Sequence, residues 1–473
     1  MAWGEQGTVQ QCGRRTEWRA GNQACPAGPR RPRAPRGGGE NALCAAHPRH
    51  SACATPRSAG TSHRLPWLMR VLNSLSYALN HCGLPPLRLS DAALMAAAQR
   101  RTGLSDWGDA SFREAFRRLL EAYECTANLH LLGRLALRQE CLRLLSNRLR
   151  MQEDLKRFPC IEQTPIRKPL VIVGLPRTGT TLLHQLLAQD PSARVPRLWE
   201  LLQPSPPPCP EALATEPRCK QAEQMIRRAL AFAPHFQALH PLSATGPEEC
   251  IFLFQHTFMS VVFEAYGEVP DYITWLLHQD LTPAYRYYQQ QLQLLQWRWP
   301  GDHWVLKSPH HLFFLDVLLT VFPDACVVQT HRDPATALAS LCSLMATTRS
   351  LYSHGVAAQR LGAPCLATWG IALDRMLRVR AATDPARFYD LYYEDLLADP
   401  IAAVYRIYAY FGYTATPGME VDMQRWLAAH PQHRYGVHQY ALSQFGLDRP
   451  MVERCYAAYL QRFPGPPGAR QRQ

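Results

Sequence analysis

The chain has 473 residues, 47% of them hydrophobic, with a formal net charge of +13 and fifteen cysteines. That length and apolar fraction exclude a wholly disordered chain and allow one large or two medium cores. No apolar run reaches the ~18 residues that span a bilayer, and scattered cysteines without a C-x-x-C exclude a zinc ribbon or dithiol redox motif.

The charge is uneven. Residues 1–68 hold ten Arg, three Glu and neither Lys nor Asp, a balance of +7 and more than half of the whole excess. Text such as PRRPRAPRGGGE (29–40) has no periodic apolar face and cannot bury enough surface to order itself. Residues 1–68 are therefore expected to be a disordered basic extension. Met69 opens MRVLNSLSYALN with globular texture, and Arg/Pro/Gly/Ala-rich text is what translated GC-rich DNA yields. A mis-assigned start is favoured over a tail for acidic partners or an organellar address. With no secretory apolar core, the chain is expected in the cytoplasm with mostly free thiols; it shows no clear nucleic-acid-binding signal, the basic residues 1–68 being the rival reading.

Residues 69–165 read as a helical segment packed on the core. In HLLGRLALRQECLRLLSNRLRM, Leu131, Leu132, Leu135, Leu142, Leu145 and Leu149 recur at three- and four-residue spacings. Ser111 stands where it would cap the helix SFREAFRRLLEAY, after the turn RTGLSDWGD.

Four short apolar runs then read as buried strands: LVIVG (170–174), HWVLK (303–307), ACVVQT (325–330) and RFYDLYY (387–393). Helical text separates them, which predicts an α/β fold with a P-loop-type parallel sheet flanked by helices. Between the first two runs lies an insert, 200–300, with prolines first and then the aromatic-rich helical text ECIFLFQHTFMSVVFEAY and AYRYYQQQLQLLQWRW. Residues 464–473 read as a flexible tail.

The first strand runs on into LVIVGLPRTGTTLL (170–183). Gly174 and Gly179 have the spacing of the phosphate loop G-x-x-x-x-G-K-[ST], but Thr180 stands where the lysine belongs. A helix starting at Thr180 presents amides and a dipole to an anion. Gly179 permits close backbone approach, Thr180 and Thr181 add hydroxyls, and Arg177 adds a planar charge. The missing lysine points away from ATP and towards a 5′-phosphate whose terminal group is not a γ-phosphate.

GLPRTGTTLLHQLL resembles the 5′-phosphosulfate loop of sulfotransferases, which use 3′-phosphoadenosine 5′-phosphosulfate (PAPS) as co-substrate. Its arginine makes it similar to a mainly bacterial branch. The resemblance implies that Arg177, Thr178, Gly179, Thr180 and Thr181 hold the donor, with no metal. HRDPATALASL, after ACVVQT, sets Arg332 at a strand end and Ser340 eight residues on. An arginine and serine so placed hold the 3′-phosphate in that family. WVLKSPHHLFF resembles the branch motif L-K-S-P-x-H-L at Lys307, Ser308, Pro309 and His311, which implies a catalytic base there. The motif puts the base at His311, with its neighbour His310 the alternative. HPQHRYGVHQYALSQFGLD (430–448) resembles a segment that closes over the nucleotide, assigning Arg434, Tyr435 and Gly436 to the 3′-phosphate side. The expected sulfotransferase domain spans 166–463.

The implied reaction moves a sulfuryl group from PAPS to a hydroxyl or amine by in-line displacement, with His311, Arg177, Lys307 and His310 as catalytic candidates. The acceptor is expected to be a small-molecule or lipid-like compound. Glu248 and Glu249, in GPEECIFLF, are candidates to orient it or to serve as a second base; a solvated acid pair at a helix N-terminus is the competing reading. Phe252, Phe254, Phe258, Phe263 and Tyr266 read either as an acceptor cleft or as plain core. The rival P-loop kinase lacks both the lysine and an apolar strand ending in Asp for Mg²⁺. A metal on His310, His311 and Asp316 matches no zinc spacing.

Overall fold

The computed structural model describes residues 87–232, 241–431 and 440–465. The expectations for 1–68, and for Arg434, Tyr435 and Gly436, lie outside them. Three helices open the described chain: α1 (Asp91–Thr102), α2 (Phe112–Cys125) and α3 (Leu131–Arg157). Ser90 caps α1 and Gly103 ends it in a left-handed turn. Ser111 does not cap α2: its own backbone is already helical, and Asp109 accepts its N–H at 2.9 Å instead.

The α3 helix departs from a simple leucine stripe. Leu135 is exposed, whereas Arg134 and Arg148 are buried. Arg148 donates from Nε to Trp107 O at 2.9 Å, and its guanidinium lies 4.2 Å from the Phe112 ring and 4.3 Å from that of Tyr287. A cation between two aromatic faces thus fastens the N-terminal helices to the insert.

The further elements used below are β1 (Leu170–Gly174), α4 (Thr180–Leu187), β2 (Ala193–Arg194), α5 (Pro217–Phe232), α6 (Thr282–Gln296), β3 (His303–Lys307), β4 (Cys326–His331), α7 (Pro334–Ser350), α8 (Gly362–Ala381), β5 (Phe388–Tyr392), α9 (Pro400–Phe411), α10 (Arg449–Cys455) and α11 (Ala457–Arg462), with the helix Met419–Ala429 and several shorter helices and turns besides. All strand pairings are parallel, in the order β2-β3-β1-β4-β5. The four expected strands are present within a residue or two; β2 is an addition too short to carry a pattern.

Period-two alternation divides the sheet between two cores. Val171, Val173, Leu306 and Val327 face the core shared with α2, α3, α6, α7 and α8. Leu170, Ile172, Val305 and Val328 face the one made with α4 and α9. Because β1 is central and the chain leaves it towards both edges, the crevice beyond its carboxyl end is a topological switch point, where open α/β sheets bind ligands.

The insert is less regular than its sequence suggests. ECIFLFQHTFMSVVFEAY folds as single turns, Ile251–Phe254, Gln255–Thr257 and Val261–Ala265, rather than one helix. Phe258 breaks it at φ 54°, held there by the rings of Phe112, Phe116 and Phe263. Phe254, Phe258 and Phe263 are fully buried, so for these three the plain-core reading holds.

Candidate active site

Four chain segments meet beyond the carboxyl ends of β1, β3 and β4. The first is the loop 174–180, wound tightly by Arg177 at φ 74° and Gly179 at φ 90°. A Cβ at residue 179 would lie 2.9 Å from Tyr393 Cδ2 and 3.1 Å from Leu396 Cδ2, so only glycine suits both the dihedral and the space. The Thr178 hydroxyl turns inward: it donates to Leu175 O at 2.7 Å and shares a hydrogen bond with Thr330 Oγ1 at 2.6 Å. Thr178 therefore offers a ligand its backbone only. Thr180 is buried at the start of α4, and Thr181 is exposed.

Lys307 ends β3. Its Nζ lies 2.6 Å from Glu249 Oε1 and 3.5 Å from Thr181 Oγ1. Backbone contacts bring Glu249 there, because Cys250 N donates to Lys307 O at 2.9 Å. Glu248 is buried, and its Oε1 accepts from Glu249 N at 2.8 Å. The acid pair is thus tied to the end of β3 rather than spread on a solvated helix end. Beneath Lys307, His184 is pushed down to about 3 by burial, with the Lys307 charge adding to it.

After β4, Asp333 caps α7 by accepting from Thr336 N at 3.0 Å, and Pro334 takes the first helical position. The cap sets Ser340 two turns along α7 and fully buried. Arg332 Nη1 donates to Arg177 O at 3.0 Å, and its guanidinium lies 4.2 Å from the Tyr393 ring. Arg177 Nε donates to Ser340 Oγ at 3.1 Å. Burial lowers the Arg177 pKa, an effect that Tyr440 opposes and Arg332 reinforces. The candidate residues of the loop and of the 3′-phosphate motif thus touch one another.

The two histidines are placed differently. After Ser308 caps the turn Pro309–Phe313, both rings enter an aromatic interior and are fully buried. His311 Nδ1 bonds the Tyr285 hydroxyl at 2.9 Å, and burial pushes its pKa down to about 3. His310 packs 4.6 Å from Phe254 and 5.1 Å from Phe314, centroid to centroid, and burial pulls its pKa well below the usual range. No hydrogen bond joins either ring to Lys307, Glu249 or the loop among the described residues.

Sequence reasoning missed the supports. His331 bonds Asp390 Oδ1 through Nε2 and Tyr459 OH through Nδ1, both at 2.9 Å, and Arg380 grips the same carboxylate at 2.5 and 2.8 Å. Arg449 holds Asp333 at 3.0 and 3.1 Å, and the Phe463 ring stacks on His331 with centroids 4.2 Å apart. Only the H-R-D-P context hinted at these partners. Among the described residues no cluster of His, Cys, Asp and Glu is arranged to hold a metal ion, and no helix is long and apolar enough to cross a membrane.

The model of the sulfotransferase family matches residues 169–417. Over 308 residues, 62% of this chain, the sequence is 27% identical to omega-hydroxy-beta-dihydromenaquinone-9 sulfotransferase Stf3 of Mycobacterium tuberculosis, covering 74% of that protein; the Mycobacterium bovis counterpart matches equally. The crystal structure of sulfotransferase STF1 from Mycobacterium tuberculosis superposes with a TM-score of 0.71 at 36% identity, covering 78% of this chain and 99% of that one. STF9 from Mycobacterium avium gives 0.74 at 31%, covering 80% and 97%.

Proposed function

The chain belongs to the sulfotransferase family and is a sulfuryl-transferring enzyme; we propose that its donor is PAPS and its acceptor an apolar, lipid-like alcohol. One observation carries the donor reading: Arg177, Arg332 and Ser340 converge beside the loop at the switch point. Two guanidinium groups drawn together there suit a ligand with phosphates on both sides of one ribose. The acceptor class rests on likeness to the Stf3 relatives, whose name specifies a hydroxylated menaquinone.

The donor's 5′-phosphosulfate lies along the amides of 177–181 at the head of α4. Its 3′-phosphate meets Arg332 and Ser340. The acceptor oxygen attacks sulfur in line, and negative charge grows on the oxygen bridging sulfur to the leaving phosphate. Lys307 stands beside Thr181 and stabilises that charge; preorganised donors of this kind contribute ~3–4 kcal/mol.

The proton of the acceptor goes to Glu249. Its carboxylate is partly exposed and paired with Lys307, so the base stands beside the leaving-group stabiliser at the edge of the site. His311 keeps an interior role, since its ring is sealed and tied to Tyr285. A pair of experiments tests the whole reading. Labelled sulfate from PAPS should appear on a long-chain alcohol or quinol, and adenosine 3′,5′-bisphosphate should bind more tightly than ATP–Mg²⁺. Tighter binding of ATP–Mg²⁺, or no transfer to any alcohol, phenol or amine, would discard it.

A further inference from the structure

The outer face of α5 has no part in the site described above. Lys220, Arg227 and Arg228 are exposed there with Gln221 and Gln224, at spacings that set them on one side of a helix. Glu223 is the single acid in α5, and among the described residues it forms no ion pair with the three cations. The opposite face is already packed. Ala222 and Ile226 are buried in a small core with Trp199, and Arg218 locks the helix down by donating to Gln203 O at 2.8 Å and Pro206 O at 2.7 Å. The cations thus face solvent from a fixed helix, with Met225 44% exposed at their flank. Half-buried Trp299 packs on the same small core, the Arg197 guanidinium lies 4.0 Å over its ring, and the adjacent Arg298 is exposed.

We propose that this face docks on an anionic bilayer surface, with the acceptor side of the site turned towards the lipid. The inference rests on the lipid-like acceptor of the reading above and adds the place from which that acceptor is drawn. Long basic side chains lay their stems along an apolar boundary and keep their charges at phosphate depth, and tryptophan rings settle at headgroup level. The small core beneath α5 also leads to the reacting groups. Trp199 N donates to Ala244 O at 3.0 Å and Glu248 N to Pro196 O at 2.9 Å, so the segment 244–249 runs from that core to Glu249. Half-buried Phe252 packs on this core and on the main one, an apolar step between α5 and the base. An acidic soluble protein would answer the cations but leave Met225 and the lipid acceptor without a role.

The test is flotation of the full chain with vesicles of phosphatidylcholine alone and of equal parts phosphatidylcholine and phosphatidylserine. Residues 1–68 are present in every arm, so their own pull on anionic lipid is common to all. The wild-type chain should float with the mixed vesicles and stay behind with the neutral ones. The triple variant Lys220→Gln, Arg227→Gln, Arg228→Gln should bind mixed vesicles roughly 10²-fold more weakly, about five-fold for each charge removed. Arg227→Lys with Arg228→Lys, which keeps both charges, should bind as the wild type does. Transfer to a dissolved short-chain alcohol should be equal in wild type and triple variant, whereas transfer to a long-chain alcohol held in mixed vesicles should slow in the variant. Unchanged flotation of the triple variant, equal binding to neutral vesicles, equal rates in mixed vesicles, or tighter binding of duplex DNA through the same three residues would each overturn the proposal. A wild-type chain that floats as expected but sulfates no alcohol would overturn the acceptor reading instead.

Discussion

Lys307 Nζ and Glu249 Oε1 lie 2.6 Å apart, with 2% and 18% of their side chains exposed, so the end of β3 and the head of the insert are joined by an ion pair beside the phosphate loop. Glu249→Gln should lower turnover by roughly 10²-fold or more, the usual contribution of a general base. An amide still accepts from Lys307, so affinity for adenosine 3′,5′-bisphosphate should stay within a few-fold. Labelled-sulfate transfer and titration calorimetry check both halves; near-normal turnover would remove Glu249 as the base.

Arg332→Ala should weaken adenosine 3′,5′-bisphosphate by roughly 2 kcal/mol, the scale of a charged hydrogen bond. The loss includes the contact to Arg177 O that braces the loop. Unchanged affinity would show that the 3′-phosphate lies elsewhere.

Tyr285→Phe removes the partner of His311 Nδ1 inside an apolar surround. Leaving a buried nitrogen without its bond costs about 1–3 kcal/mol, which urea unfolding would register. The pH profile of turnover should be unmoved. A shifted profile would return the base to His311.

Gly179→Ala combines φ 90° with a Cβ only 2.9 Å from Tyr393. The strain, on the order of 1–3 kcal/mol, must be relieved by moving the loop or Tyr393, and both border the site proposed for the donor. Bisphosphate binding should fall sharply even where the fold survives; calorimetry beside circular dichroism separates the two.

Stability should fall as the solution is acidified below neutrality. Burial holds His184, His256 and His311 at about 3 and His130 at about 4, against ~6.5 when unfolded. Folded values below unfolded ones mean that this stability is fully present above about pH 6.5. It is lost as pH falls towards the folded values, because the unfolded chain binds protons that the native one refuses. Each such histidine adds up to ~1.4 kcal/mol per pH unit in that window. Urea midpoints at pH 7.5 and 5.0 measure the slope, and a flat line would contradict the burial of these rings.

The strands and the loop were legible because their signal is local: a β-branched run, two glycines at fixed spacing and a helix start lie within fourteen residues. The place of Arg332 after a strand and of Ser340 two turns along α7 was legible for the same reason, with the cap of α7 written in adjacent letters. The Lys307–Glu249 pair was only half visible, since it is closed by a backbone bond from Cys250 across 57 residues, and no spacing rule records that. His311 shows the converse, a local motif whose depth in the fold the sequence does not record. Its motif context was clear, but exposure belongs to packing, and the aromatic ring set of α6 and the insert decides it. The insert's helical texture failed because Phe258 satisfies tertiary contacts in a conformation that its own propensity opposes.

Arg449 on Asp333, together with Tyr459 and Phe463 on His331, makes the last two described helices a roof over the strand end that carries Arg332. A premature stop codon just after residue 447 would therefore spare every letter of the phosphate loop and still slacken the enzyme's hold on its nucleotide. For this gene, a transcript shortened near its 3′ end is predicted to encode a chain with an intact signature and a crippled catalyst.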